Sequence, residues 1–200
     1  MAPPAATTAA NNSPPHPLDA TTVIEVAGEL VDQIGPEALS LSGIARELGV
    51  TQPALYRHVD DLASLWRGLG LATRALLADH LADAAVGLSG PEAMKAVAGA
   101  WRQFARRHPG RYRSTDRYAV AGDADLEQAA NRTVGVLEKA LRGFDLPDHE
   151  RRHAAHSLRS ALHGFVMYEL SDGHPDPDHL DTSFDRMVEH LSTAFAAIDR

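Results

Sequence analysis

With 200 residues and no cysteine, this chain has no material for a disulfide, a thiolate zinc site or a cysteine nucleophile. Its hydrophobic share of 44% can fill a sizeable interior, and no apolar run reaches the length needed to cross a bilayer. A net charge of -8 excludes an overall basic coat for nucleic acid, yet leaves open a local reading surface if the acids sit elsewhere.

Met1 to Pro17 is rich in Ala, Pro, Thr and Asn, carries no charged residue, and lacks the basic start and apolar stretch of a secretory signal. Residues 1–17 read as a disordered tail, and the protein as cytoplasmic. Helical spacing takes over from there. Val23, Ile24, Ala27, Leu30, Val31 and Ile34 share one helix face, which Gly35-Pro36 stops. A short helix is predicted from about Leu41 to Leu48, capped by Ser40 and ended by Gly49. Another follows from about Gln52 to Val59, with Thr51 as N-cap and Pro53 tolerated in its first turn. Asp60 or Asp61 then caps a long helix whose stripe is Leu62, Leu65, Trp66, Leu69, Thr73, Leu76, Leu77 and Leu81.

Gly87 to Pro91 interrupts the pattern, and a helix carrying Met94, Val97, Trp101 and Phe104 runs to His108-Pro109-Gly110. A short piece spans about Arg111 to Tyr118, and Leu126, Ala130, Val134, Leu137 and Leu141 define the next helix, stopped by Gly143 and Pro147. The last two run from Asp148 to about Leu170 and from Leu180 to about Ile198, separated by a Ser171–Pro177 loop. Nothing alternates with period two. The expected fold is all-α with about nine helices: an N-terminal three-helix domain over 18–64 and a C-terminal helical domain over 65–200.

The segment from Leu39 to Val59 sets two short helices about a turn at Gly49. Ile44, Ala45 and Leu48 face inward from the first helix, and Val50, Leu55 and Val59 from the second. Thr51, Gln52, Ala54, Tyr56, Arg57 and His58 are left outside, and all but Ala54 can form hydrogen bonds, as suits a helix whose end meets base edges in a major groove. The set Ile44-Ala45, Gly49-Val50-Thr51 and Leu55-Tyr56-Arg57-His58-Val59 closely resembles the helix-turn-helix of the tetracycline-repressor (TetR) family. That resemblance implies a DNA-binding regulator rather than an enzyme. By it, Ser40, Tyr56 and His58 contact phosphates, and Gln52, Pro53, Ala54 and Arg57 read or approach bases. One departure stands out: the family commonly has lysine where the fourth helix starts, and here that position is Leu62 after Asp60-Asp61. From Ser40 to Arg67 the charges cancel, Arg46, Arg57 and Arg67 against Glu47, Asp60 and Asp61.

Beyond residue 70, Trp101 to Tyr112 resembles the helix-then-Pro-Gly-x-Tyr junction of one subgroup, and Leu162-His163-Gly164 its Trp-His-Gly signature with leucine for tryptophan. The family resemblance implies a homodimer through the last two helices, a palindromic double-stranded operator, and release by a small molecule held between the central helices. Met94, Trp101, Phe104, Tyr112, Tyr118 and His163 are the candidate pocket residues, suited to a lipophilic or aromatic effector. Gly164 in mid-helix suggests close approach of another helix or a ligand. No cofactor and no metal is expected. His149-Glu150-x-x-His153 spells the zinc-protease pattern, with His156 on the same face, so a zinc-dependent hydrolase is the alternative. The two intervening arginines and the exposed helix entrance after Pro147 favour a solvated face instead.

Overall fold

The computed structural model describes residues 18–171 and 179–198. The expected tail lies outside the described residues, as does the expected Ser171–Pro177 loop from residue 172 onward. Among the described residues there are nine α-helices and no strand: α1 Ala20–Ile34, α2 Leu41–Glu47, α3 Gln52–Leu55, α4 Leu62–Ala84, α5 Gly90–Arg107, α6 Pro109–Ser114, α7 Ala124–Ala140, α8 Asp148–Glu169 and α9 Leu180–Ala196. Single 3-10 turns at Pro36–Ala38 and Leu141–Phe144 complete the set. The all-α expectation holds.

Local capping chemistry sets most boundaries. Ser40 accepts from the Gly43 amide at 3.2 Å, and Gly49 adopts φ 66 to turn the chain between α2 and α3. Asp61, rather than Asp60, caps α4: its carboxylate accepts from the Ser64 amide at 2.7 Å, while the Asp61 amide donates to Ser64 Oγ at 3.0 Å. Asp19 caps α1 in the same way, accepting from Thr22 at 2.8 Å. The junction after α5 differs from the expected one. Pro109 begins α6 instead of merely ending α5, because a proline in the first turn gives up an amide that has no helical partner anyway.

Two hydrophobic clusters share α4. Val23, Ala27, Val31, Ile44, Leu55, Leu65 and Leu69 anchor the N-terminal cluster. Met94, Trp101, Leu137, Leu158, Leu162 and Phe184 belong to the larger C-terminal one, joined by Leu77 and Leu81 from the far end of α4. The predicted stripe of α4 is buried at Leu65, Trp66, Leu69, Thr73, Leu77 and Leu81. Bridging two cores widens that face to take in Gly70, Arg74 and Ala78, while Leu62 is left 38% exposed and Leu76 47% exposed. On α9 the expected stripe is used within the chain: Phe184 meets Phe165 edge-on at 5.1 Å, Phe195 meets Phe144 at 6.1 Å, and Ala194 faces outward. Arg102 fastens α5 to α8 and α9, bonded to Glu169 and Asp181 at 2.6 Å each and lying over the Phe184 ring.

Between the clusters, α1 docks on α6. A Cβ at Gly110 would fall 1.9 Å from the Val31 carbonyl oxygen, so only glycine allows this approach of two backbones. Asp32, at the end of α1, accepts from the Arg111 amide at 2.8 Å and lies 3.0 Å from Arg111 Nε and 3.2 Å from His108 Nδ1. The C-terminal helices thereby hold the N-terminal unit by its first helix.

Candidate nucleic-acid interface and ligand pocket

The helix-turn-helix packs as its sequence pattern requires. Ile44, Ala45, Leu48, Leu55 and Val59 are buried, and Val50 packs partly buried against them. Regular α3 covers only Gln52–Leu55, shorter than the predicted Gln52-to-Val59 helix. Its end tightens, with the His58 amide bonded to the Leu55 carbonyl at 2.8 Å and the Arg57 amide to Ala54 at 3.4 Å. The extended backbone that Asp61 needs as the cap of α4 follows within three residues, leaving no room for another turn.

Thr51, Gln52, Pro53, Tyr56 and Arg57 are exposed, and Ala54 and His58 half-buried. Thr51 occupies the N-cap without a capping side-chain bond, and Tyr56 is 49% exposed. Ser40 is half-buried, its hydroxyl engaged at the start of α2. All eight candidate DNA-contacting residues thus lie on α3, on the turn after it, or at the N-terminus of α2. The surface is sparsely charged. Arg67 is withdrawn from it: Nε bonds Asp123 at 2.5 Å and Nη2 bonds Asp125 at 2.6 Å, at the start of α7. Asp123 also caps α7, accepting from Leu126 at 3.2 Å, and the Arg67 guanidinium holds its carboxyl below the usual carboxylate range. Arg46 and Arg57 make no ion pair among the described residues, and they are the cations left for a phosphate backbone.

The six candidate pocket residues divide. Trp101, Tyr112 and His163 converge: Trp101 Nε1 donates to the Tyr112 hydroxyl at 2.8 Å, and that hydroxyl lies 2.9 Å from His163 Nδ1. Burial pushes the Tyr112 hydroxyl well above its ordinary acidity range, so it stays protonated and can donate to His163. His163 Nε2 in turn lies 3.5 Å from Asp116, whose carboxyl is held below the usual range chiefly by that bond. These residues line a crypt of about 40 Å³ with Arg74, Thr115, Thr133 and Arg159. Met94 is fully buried in the C-terminal core and does not line it. Phe104 lies on another side of α5, between His80 at 6.1 Å and His108 at 5.1 Å. Tyr118 packs against the N-terminal cluster instead. Within the chain Gly164 meets no close neighbour: a Cβ there finds nothing within 4 Å, and it is His163 beside it that enters the crypt.

Sequence reasoning missed Arg74. The available clue was a cation interrupting the apolar spacing of α4 between Leu69 and Leu77. Nothing local pointed to Thr115, Asp116 or Arg159. The His149-Glu150-x-x-His153 stretch lies on the outer side of α8, because Ala154, Ala155 and Leu158 take the inner side. His149, His153 and His156 are all exposed, His149 lies 3.6 Å from Glu150, and no group of three metal-capable side chains occurs among the described residues.

Comparison with known proteins places this arrangement. Residues 18–59 match the profile of bacterial regulatory proteins of the tetR family, and residues 94–191 that of a tetracyclin repressor-like C-terminal domain. An uncharacterized HTH-type transcriptional regulator of Mycobacterium tuberculosis is 32% identical over 89% of this chain and 82% of its own length. A second such regulator, YobS of Bacillus subtilis, is 29% identical over 78% of this chain and 81% of its own. Among solved structures, a TetR variant from Acinetobacter baumannii AYE in complex with minocycline superposes with a TM-score of 0.69, at 24% identity over 90% of this chain and 97% of that one. BioQ of Mycobacterium smegmatis superposes with a TM-score of 0.64, at 24% identity over 91% and 100%. With both profiles in chain order and a relative above 30% identity over 89% of the chain, the chain belongs to the TetR family of bacterial transcriptional regulators.

Proposed function

We propose that this chain is a cytoplasmic repressor that binds a palindromic operator as a homodimer and releases it when a small molecule enters the C-terminal half. The observation that carries this reading is the exposure of Thr51, Gln52, Pro53, Tyr56 and Arg57 over a helix-turn-helix whose inner face is fully packed. In this reading residues 18–64 are the DNA-binding part and 65–200 the ligand-binding and dimerising part, with α4 running across the division. A two-fold pair of α3 helices about 34 Å apart engages successive major grooves, which one copy alone does not. The outer surfaces of α8 and α9, where Gly164 and Ala194 face outward, supply small side chains for close pairing with a second copy.

Release requires that ligand favour one of two states, since equal affinity for both shifts nothing. Two connections tie the ligand-binding half to the reading head: Asp32 of α1 to His108 and Arg111, and the start of α4, where Leu65 and Leu69 pack in the head's cluster and Arg67 between them binds Asp123 and Asp125. A change in the packing of α6 or α7 therefore reaches the head through ion pairs as well as through α4. Mobility-shift assays on the DNA upstream of the gene, with and without bound ligand, test the reading. Specific retardation relieved by ligand is expected, and operator affinity indifferent to a ligand that demonstrably binds would overturn the release step.

A further inference from the structure

We infer that the Trp101–Tyr112–His163 crypt takes the carboxylate of a small organic acid, with Arg74 as its buried anchor and Arg159 at its mouth. This deepens the regulator reading above and rests on it for the word effector, but not for the binding site itself.

Arg74 is only 8% exposed, and its guanidinium donates to two carbonyl oxygens, Gly70 at 3.2 Å and Thr115 at 2.7 Å. No carboxylate lies within ion-pair distance of it among the described residues. Two of the half-buried arginines are paired: Arg102 holds Glu169 and Asp181, and Arg111 holds Asp32. Arg74 differs from them. A buried guanidinium stays protonated and is costly to leave without a counter-charge. Gly70 makes room for the arrangement, since a Cβ there would lie 3.0 Å from Arg74 Nη1.

The remaining polar groups around the crypt are already engaged. Trp101 donates to Tyr112, the Tyr112 hydroxyl lies 2.9 Å from His163 Nδ1, and Thr133 Oγ1 donates to the Ala129 carbonyl. His163 Nε2 lies 3.5 Å from Asp116 and engages that carboxylate. Arg74 and Arg159 thus line the crypt with a single carboxylate, already engaged by His163, so an anion is the complementary guest. The volume of about 40 Å³ suits a carboxylate-sized group and not a whole effector. The body of the acid must then extend outward past Arg159, which is exposed. The ligand class narrows from lipophilic or aromatic to an acid with such a body.

The test is intrinsic tryptophan fluorescence of the full chain, titrated with matched acids and amides: octanoate against octanamide, and 4-phenylbutyrate against 4-phenylbutyramide. At least one acid is expected to bind at least tenfold more tightly than its amide. Arg159→Gln should weaken that acid about tenfold without changing the unliganded melting temperature, and Arg74→Gln should abolish binding. If Arg74→Gln fails to fold, the exposed Arg159 decides alone. Equal binding of acid and amide, no acid binding up to about 10 mM, or unchanged affinity in Arg159→Gln would overturn the inference. A parallel operator assay separates the two readings. Acid binding without operator release leaves the anion site standing and sinks the release step, and release by a neutral compound alone does the reverse.

Discussion

The reading head and the ligand-binding half use polar residues in opposite ways. In the head, polar side chains sit outside a closed apolar cluster: Gln52, Tyr56 and Arg57 face outward while Ile44 and Leu55 are fully buried. In the other half they sit inside, with Arg74, Tyr112, Ser114 and Thr133 buried. An outward polar residue costs the fold almost nothing and is free to meet a partner. An inward one must find a partner inside, on its own helix as Ser114 and Thr133 do or on a distant element as Arg74 and Tyr112 do. The head is accordingly closed by short-range caps, and the other half adds ion pairs between residues far apart in sequence, Arg67 with Asp123 and Arg102 with Glu169.

Breaking the junction between the two halves should have the largest effect. Gly110→Ala places a methyl against the Val31 backbone, which cannot swing aside as a side chain does, and should cost about 3 kcal/mol in denaturant unfolding. A cost below half that would show that α1 and α6 part easily. Next, Gln52→Ala should lower operator affinity by about 1–2 kcal/mol in a fluorescence-anisotropy titration, with unchanged thermal stability because the side chain is exposed. The head is also poor in cations, with Leu62 at the start of α4 and Arg67 paired to α7. Leu62→Lys should steepen the dependence of log affinity on log salt by about one unit per half-site, and an unchanged slope would place α4 away from phosphate.

A smaller effect is expected at Gly164, where alanine meets nothing and gains helix propensity. Gly164→Ala should stabilise the isolated chain by about 0.5–1 kcal/mol. Weaker self-association of the same variant in sedimentation would place α8 in the dimer contact. The smallest change is an acid limb. Asp116, held down chiefly by His163, and Asp123, held down chiefly by Arg67, titrate below their ordinary value of 3.8. Each binds its proton less readily folded than unfolded, so each favours the fold above that value and withdraws its support as pH falls through the lower folded value. Denaturation midpoints should stay level down to about pH 5 and fall below about pH 4, and Asp123→Asn should soften the fall.

The one-dimensional pattern determined the all-α class, the cap at Ser40, an aspartate cap at Asp60 or Asp61, the left-handed turn at Gly49, and the inner and outer sides of the helix-turn-helix. Each of these is a contact within about four residues, so spacing alone reports it. It also placed Trp101, Tyr112 and His163 among the candidate pocket residues, on residue type and resemblance. Tertiary structure alone decided the rest: that Tyr118 packs on the head, that Leu62 and Leu76 face solvent, that Arg67 reaches Asp123 and that Arg74 reaches Thr115. Those partners lie 56 and 41 residues apart, and α4 meets both clusters by burying Gly70, Arg74 and Ala78 beside its apolar stripe. Periodicity assumes one core per helix. A helix shared by two cores buries a wider face than its apolar stripe, and the buried Arg74 lies in that added width.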